Sequence, residues 1–440
     1  MAAISLGVAL WFGDGTLGRS AVLCLVLTWT AMIAAFSTPA PDDERQVERV
    51  LEVGVLIQLV LLFSKPPGRH LLPDLWEHFF IGPVFSVGCI LLAMLAVTFV
   101  VGRPLLGRAT FPAMVVIFAV LSAWMLWASP DPPIDVMRLH EQAAFALSEG
   151  KTPYDLHFEN IYGHTRFYGP GFATPSSIDV GSPYPPLSVL LTSLGIFLAG
   201  DPRAALVAAF VCTAVLIDRL GGRAARLASL LFMSSPRRFL VLELGWTEPL
   251  MVAFLAATLV LAQRRSRWLP LGLAGLLGIK QFSVLLLPFT QFLVGELRPR
   301  RGLRLVGGAL LLVAVTALPF VLWDPQAFFR STVFFQLAQP FRPESLNFAA
   351  LWARAHPGAV PPTTLPTLVL LALAALVALL RCRPTPAGFA AAGALVLLAL
   401  LAWSKQAHDN YYDLVFGFLA CAVAPAASTP EPEKLGRQVG

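Results

Sequence analysis

SPDPPIDVMRLHEQAAFALSEGKTPYDLHFENIYGHTRFYGPGFATPSSIDVGSPY, residues 129–184, is the longest polar interruption in a chain otherwise made of successive apolar runs. It carries Asp131, Asp135, Glu141, Glu149, Asp155, Glu159 and Asp179, with four of the six tyrosines. On either side the composition is that of a lipid-soluble protein: 57% hydrophobic, 13% charged, mean hydropathy +0.71. Those values exclude an ordinary soluble domain and predict an all-α, polytopic membrane protein. The formal charge of +6 is the arginine excess of cytoplasmic loops and no sign of a nucleic-acid partner.

Working outward, apolar runs at 20–36, 47–63, 79–101 and 110–128 predict four spans before the loop, while 2–12 is too short to assign. Arg103 and Arg108 place the turn before the fourth span in the cytoplasm, which makes 129–184 external. No basic n-region precedes the first span, so a cleavable signal is not expected. Beyond the loop, 185–200 and 204–217 form a hairpin broken at Asp201 and Pro202. Arg219, Arg223 and Arg226 follow, and they are cytoplasmic only if one half of that hairpin is partly inserted, which is the preferred topology.

Short runs at 227–235 and 250–261 flank Arg237, Arg238 and LELGWTEP. The segment 268–294 lies between two basic clusters, Arg264 to Arg267 and Arg298 to Arg304, so it must enter and return with Lys280 near its apex. Residues 305–322 lead to an external segment, FFRSTVFFQLAQPFRPESLNFAALW, expected to be one interfacial amphipathic helix. Spans at 364–380, 387–403 and 414–423 complete a total of about ten to thirteen membrane segments. The organisation expected is N-terminal spans (1–128), catalytic loop (129–184), core spans (185–322), external helix with C-terminal spans (323–427) and a disordered tail (428–440). The five cysteines lie in or against apolar runs, and no disulfide framework or metal site is expected.

The candidate chemical groups converge on the inferred external side. All six tyrosines, Tyr154, Tyr162, Tyr168, Tyr184, Tyr411 and Tyr412, fall there, as an aromatic belt or as the lining of a pocket for a polar, hydroxylated ligand. Asp131 before Pro132 fits a helix N-cap. Asp135 falls in the first turn of an amphipathic segment whose apolar members Ile134, Met137, Ala144 and Phe145 are expected on the membrane, with Arg138 and Gln142 beside it. Lys280, one of five lysines, costs about 2.5 to 3.5 kcal/mol at the centre of an apolar segment and therefore needs a partner or a task. Arg237 and Arg238 are interfacial anchors or phosphate ligands, with Glu243 and Glu248 placed to orient cations. His408 lies on the same face.

In order, Asp135, Ala143, Leu147, Gly150, Pro153-Tyr154, then YPPL at 184–187, GWTE at 245–248 and GIKQ at 278–281, form a pattern. It resembles the GT-C membrane glycosyltransferases and, within them, the polyprenyl-phosphate-mannose-dependent enzymes of glycosyltransferase family 87. Thr247 and Glu248 stand where members often carry Gln and Asn. The resemblance implies a GT-C bundle in the bacterial inner membrane. It implies inverting transfer of a hexose, mannose in the family, from a polyprenyl-phosphate donor to a glycan, glycolipid or lipid acceptor; no cofactor is expected, Asp131 with Asp135 being too thin a ligand set to argue for a divalent metal. The base by position is Asp135, with Asp131 second. The donor phosphate falls to Lys280, Arg237, Arg238 or His408, and the substrate to Tyr154, Tyr184, Glu248, Gln281, Tyr411 and Tyr412. A transporter or lipid flippase is the alternative; it would show repeats and ionisable groups along a midplane path.

Overall fold

Residues 1–38, 43–73, 82–295 and 299–423 are described by a computed structural model. The tail 428–440 and Arg298 lie outside the described residues. The chain is a mostly helical, multi-pass membrane protein. Among the described residues six helices are long and apolar enough to cross a bilayer alone, and eight if two bent pairs each count as one span. A total of ten or more is reached only by adding helices of 10–17 residues, which are buried by neighbours in the bundle and need not match the bilayer individually.

Before the loop come α1 (Ala2–Gly13), α2 (Arg19–Ser37), α3 (Glu44–Ser64), α4 (Gly82–Val100) and α5 (Thr110–Ala128). The run at 2–12 is thus a helix of the bundle, buried along Leu6, Ala9 and Leu10. Next are α6 (Asp135–Ser148), a two-residue hairpin of β1 (Phe158–Glu159) and β2 (Ser177–Ile178), α7 (Pro186–Ala199) and α8 (Arg203–Asp218). Helices α7 and α8 meet at 106°.

The two ends of α8 identify the two ends of the bundle. At its start Arg203 donates to the Ser129 carbonyl at the mouth of the external loop. Past its other end Arg223 donates to the Val100 carbonyl, beside the turn with Arg103 and Arg108. Arg223 and Arg226 therefore gather at the end of the bundle that holds Arg103 and Arg108, while the bend at Asp201 lies at the opposite end, beside the start of the 129–184 loop.

From there run α9 (Gly222–Met233), α10 (Arg237–Glu243), α11 (Glu248–Gln263) and α12 (Leu269–Ile279), with 116° between α10 and α11. A 3-10 helix, Gln281–Val294, descends from Lys280 and contains Pro288. So long a 3-10 run is uncommon, and Pro288 has no N–H to give an α-helical ladder. Lys280 lies at the turn between α12 and this helix, against Tyr184 at the end of the 129–184 loop.

The long α13 (Pro299–Trp323) leads to α14 (Pro325–Phe329), a π turn (Arg330–Phe334) and α15 (Phe335–Ala338), then α16 (Phe348–Ala355). The expected single amphipathic helix is therefore divided: Pro340 and Pro343 stop the first part, and Asn347 caps the second through the Ala350 amide. Helices α17 (Thr364–Arg381), α18 (Pro386–Trp403) and α19 (Asp409–Val423) close the fold. Because α19 begins at Asp409, Tyr411 and Tyr412 stand in its first turn and not in a loop.

Candidate functional site

Helix α6 brings Asp135 to its first turn, where the positive end of the helix dipole favours a carboxylate. Its apolar side faces protein and not lipid: Met137 and Ala144 are buried, with Met137 under Gly245, and Phe145 alone of the four is exposed. That corrects the expected membrane-facing stripe. The amphipathic period finds an apolar neighbour but does not say whether it is lipid or the α10–α11 corner.

Two tyrosine hydroxyls hold the carboxylate. Tyr168 donates to Oδ2 at 2.8 Å and Tyr162 to Oδ1 at 3.3 Å. Burial raises the Asp135 pKa above the ordinary carboxylate range, while the hydroxyls of Tyr168 and Tyr162, the Val136 amide and the charge of Arg342 pull it back. Arg342 lies flat on Phe167 at 4.1 Å, donates to the Phe167 carbonyl at 3.1 Å and keeps a buried Nε without a hydrogen-bond partner.

Asp131 is not the helix N-cap expected of it. Helix α6 begins four residues later with Ile134 as N-cap, because 132–134 stay extended or bent around the two prolines. Exposed Asp131 instead pairs with Arg138 at 3.1 Å, and Arg138 also holds Glu141 at 3.0 Å. Both bridges are solvent-exposed, so Arg138→Ala is expected to change unfolding free energy by about 1 kcal/mol or less, as read from the thermal midpoint in detergent.

A second group of side chains surrounds Tyr184. The Lys280 ammonium sits 4.4 Å from the Tyr184 ring centroid and 3.0 Å from Glu248 Oε1. Of the two accounts of Lys280, the internal ion pair is therefore present. Asn410 donates to the same Glu248 oxygen at 2.8 Å, leaving Oε2 buried without a partner. His140 stacks on Tyr184 at 5.4 Å, and its Nε2–H donates to the Gly245 carbonyl at 3.0 Å. Burial lowers its pKa to about 4, so the imidazole is neutral. The Tyr184 hydroxyl lies within electrostatic reach of Glu248, Tyr411 and Asp135, and so joins the two groups.

The remaining candidates divide. Gln281 spends both amide hydrogens on the carbonyls of Pro183 and Thr332, at 2.6 and 2.9 Å, and clamps the loop to the π turn. Tyr154 donates to the Tyr184 carbonyl and Tyr412 to the Leu346 carbonyl. Both side chains are buried, so their hydroxyls shape the site from behind. Tyr411 packs against Phe282 at the edge of the Tyr184 group. His408 lies within electrostatic reach of Arg342 and Arg69, and burial brings its pKa to about 4, so it offers a hydrogen bond and no charge.

Arg237 and Arg238 point to different surroundings. Arg237 pairs with Asp14 at 2.8 Å, away from Lys280. Arg238 pairs with Asp413 at 3.1 Å and lies 3.5 Å over the Phe232 ring, with Phe210 and Phe416 around it. Arg238 is therefore enclosed and not brought to Asp135. Glu243 orients no cation; it accepts the backbone amides of Arg69 and His70 at 2.7 and 2.8 Å.

Residues not chosen from the sequence are Tyr162, Tyr168, Arg342, His140, Asn410 and Arg203. The two tyrosines carried the signal of their loop. Arg342, between two prolines in a stretch assigned to a helix, carried none. Compared with known families, curated proteins and solved structures, the chain gives no match.

Proposed function

We propose that the chain is a GT-C-type membrane glycosyltransferase that moves a hexose, mannose in the first instance, from a polyprenyl phosphate to a hydroxyl acceptor at the external face of a bacterial inner membrane. The observation carrying this is Asp135, a carboxylate at the external end of the bundle, held by two hydroxyls with its pKa raised and one guanidinium nearby. In the step proposed, Asp135 takes the proton of the acceptor hydroxyl as that oxygen attacks the anomeric carbon. The bond from that carbon to the phosphate oxygen breaks, and prenyl phosphate leaves with the electron pair, inverting the centre. The leaving group is already an anion and needs cations, not an acid. Arg342, with its unspent Nε and a looser carboxylate partner in half-exposed Glu344 at 3.6 Å, suits that task better than Lys280, which Glu248 holds at 3.0 Å.

A transporter would string its ionisable groups through the mid-membrane. Here Asp135 lies in the polar loop itself and the Lys280–Glu248 pair lies against Tyr184 at its end, while Arg238–Asp413 sits apart from them among the rings of Phe210, Phe232 and Phe416. The deciding experiment supplies labelled prenyl-phosphate hexoses to vesicles containing the chain. Transfer of label to a lipid or glycan fraction is expected; untouched donors, with solute uptake instead, would make the protein a transporter.

The pH profile gives a finer test. The base works only when deprotonated, so rate falls as pH drops through its pKa, and a raised pKa puts that acid limb above the ordinary carboxylate range. Tyr168→Phe removes a hydrogen bond that lowers the pKa. Its acid limb is expected at higher pH than in the wild type; a limb unmoved or shifted to lower pH would remove Asp135 from the role.

A further inference from the structure

We infer that the corner where α1, α3, α10 and α19 meet is a second ligand site, one that takes hydroxyl groups of a sugar unit remote from the reacting hydroxyl; this rests on the transferase reading above. Three cations, two from the segment after α3 and one from α10, converge there on one carboxylate. Asp14 receives Lys65 at 2.8 Å, Arg237 at 2.8 Å and Arg69 at 3.4 Å. Asp14 itself holds a left-handed conformation, φ 46, at the end of α1. Behind it Gly15 lies so close to the Asp409 backbone that a Cβ there would collide with it. The rim of Lys65, Arg69 and Asp14 is partly open to solvent, while Arg237 and Asp409 form a floor that is 1% exposed.

The floor is unfinished in both senses. Arg237 donates from Nη1 to the Pro66 carbonyl and pairs through Nη2 with Asp14, but its Nε–H has no hydrogen-bond partner. Neither carboxylate oxygen of Asp409 has one. Buried polar groups are nearly always satisfied, so an orphan donor beside orphan acceptors calls for a species that fills both. An anion would meet Arg237 and be repelled by Asp409. A metal ion would meet Asp409 and be repelled by three cations. A hydroxyl both donates and accepts, and adjacent hydroxyls on one ring serve both residues at once.

A polar seam connects this corner with the reacting centre. Arg342 is in electrostatic reach of Asp135, His408 of Arg342 and Arg69, and Asp409 of Arg69 and Arg237. An acceptor longer than one sugar is thus read at two points, with its reacting hydroxyl at Asp135 and a distal unit at Asp409.

The test is direct binding of mannotriose, maltotriose and arabinotriose to the full chain in nanodiscs, by calorimetry or saturation-transfer NMR, with inorganic phosphate as the anion control. At least one trisaccharide is expected to bind saturably. Asp409→Ala is expected to weaken it about tenfold without lowering the thermal midpoint, since it removes an unsatisfied buried charge. Arg69→Gln, at the rim, is expected to weaken it as well and decides the matter if the first variant does not fold. Failure of all three sugars would mean that water alone fills the floor, and would overturn the inference. So would phosphate binding in their place, or wild-type sugar affinity in both variants. Binding is read without turnover, so a chain that binds sugar but transfers none would sink the transferase reading and leave this site standing.

Discussion

Asparagine in place of Asp135 is expected to slow sugar transfer by about two to four orders of magnitude, the range attributable to a positioned general base. Asparagine keeps the side-chain shape and still accepts from Tyr162 or Tyr168 through its carbonyl oxygen, so the loop keeps its fold. It loses the ability to take a proton as the acceptor hydroxyl attacks. The loss should fall on kcat, with acceptor KM changed little, because the carboxylate matters most when the proton moves. Initial rates at saturating donor, with a melting curve on the same preparation, separate this from misfolding. A rate within threefold of wild type would place the base elsewhere.

The second large effect is on folding. Arg203, fully buried at the α7–α8 bend, pairs with Asp201 at 2.6 Å and donates to the Ser129 carbonyl at 2.7 Å and the Glu243 carbonyl at 3.3 Å. It also reaches Leu126, whose carbonyl in the last turn of α5 has no helical successor to bond. Leucine there leaves the half-buried Asp201 carboxylate with only the residue 203 amide and strips several carbonyls of their donor at once, which is expected to cost about 3 kcal/mol. The measurement is a thermal or denaturant midpoint in detergent, together with the yield of monodisperse protein. Retention of wild-type stability would mean that water replaces the guanidinium and that the bend is held by packing alone.

Much of the architecture could be read from hydropathy, because lipid imposes long apolar runs and arginines mark the cytoplasmic turns. The turn of the chain at Lys280 and the break at Asp201, both seen in the fold, follow from those two constraints. Short helices such as α1 and α9 escape them, since a helix shielded by its neighbours owes nothing to bilayer thickness. At the candidate site, Asp135, Lys280, Glu248 and Tyr184 were legible as polar residues with a cost to justify. The hold of Tyr162 and Tyr168 on Asp135, and Arg342 altogether, were not, because contacts across 27, 33 and more than 200 residues leave no mark on local pattern. Asp131 misled for the opposite reason: a good local capping signal gave way to the extended backbone around Pro132 and Pro133.

The last helix has a consequence for biogenesis. Asp413 of α19 is the carboxylate facing Arg238, and Asn410 holds Glu248 against Lys280. Until α19 emerges from the ribosome, Arg238 stands among phenylalanine rings with no counter-charge. The Arg238–Asp413 pair and the Asn410–Glu248 hydrogen bond are therefore made only once α19 is in place, and a transcript cut short before Asp409 yields a nascent chain with an unneutralised arginine in the bilayer, a ready target for membrane quality-control proteases.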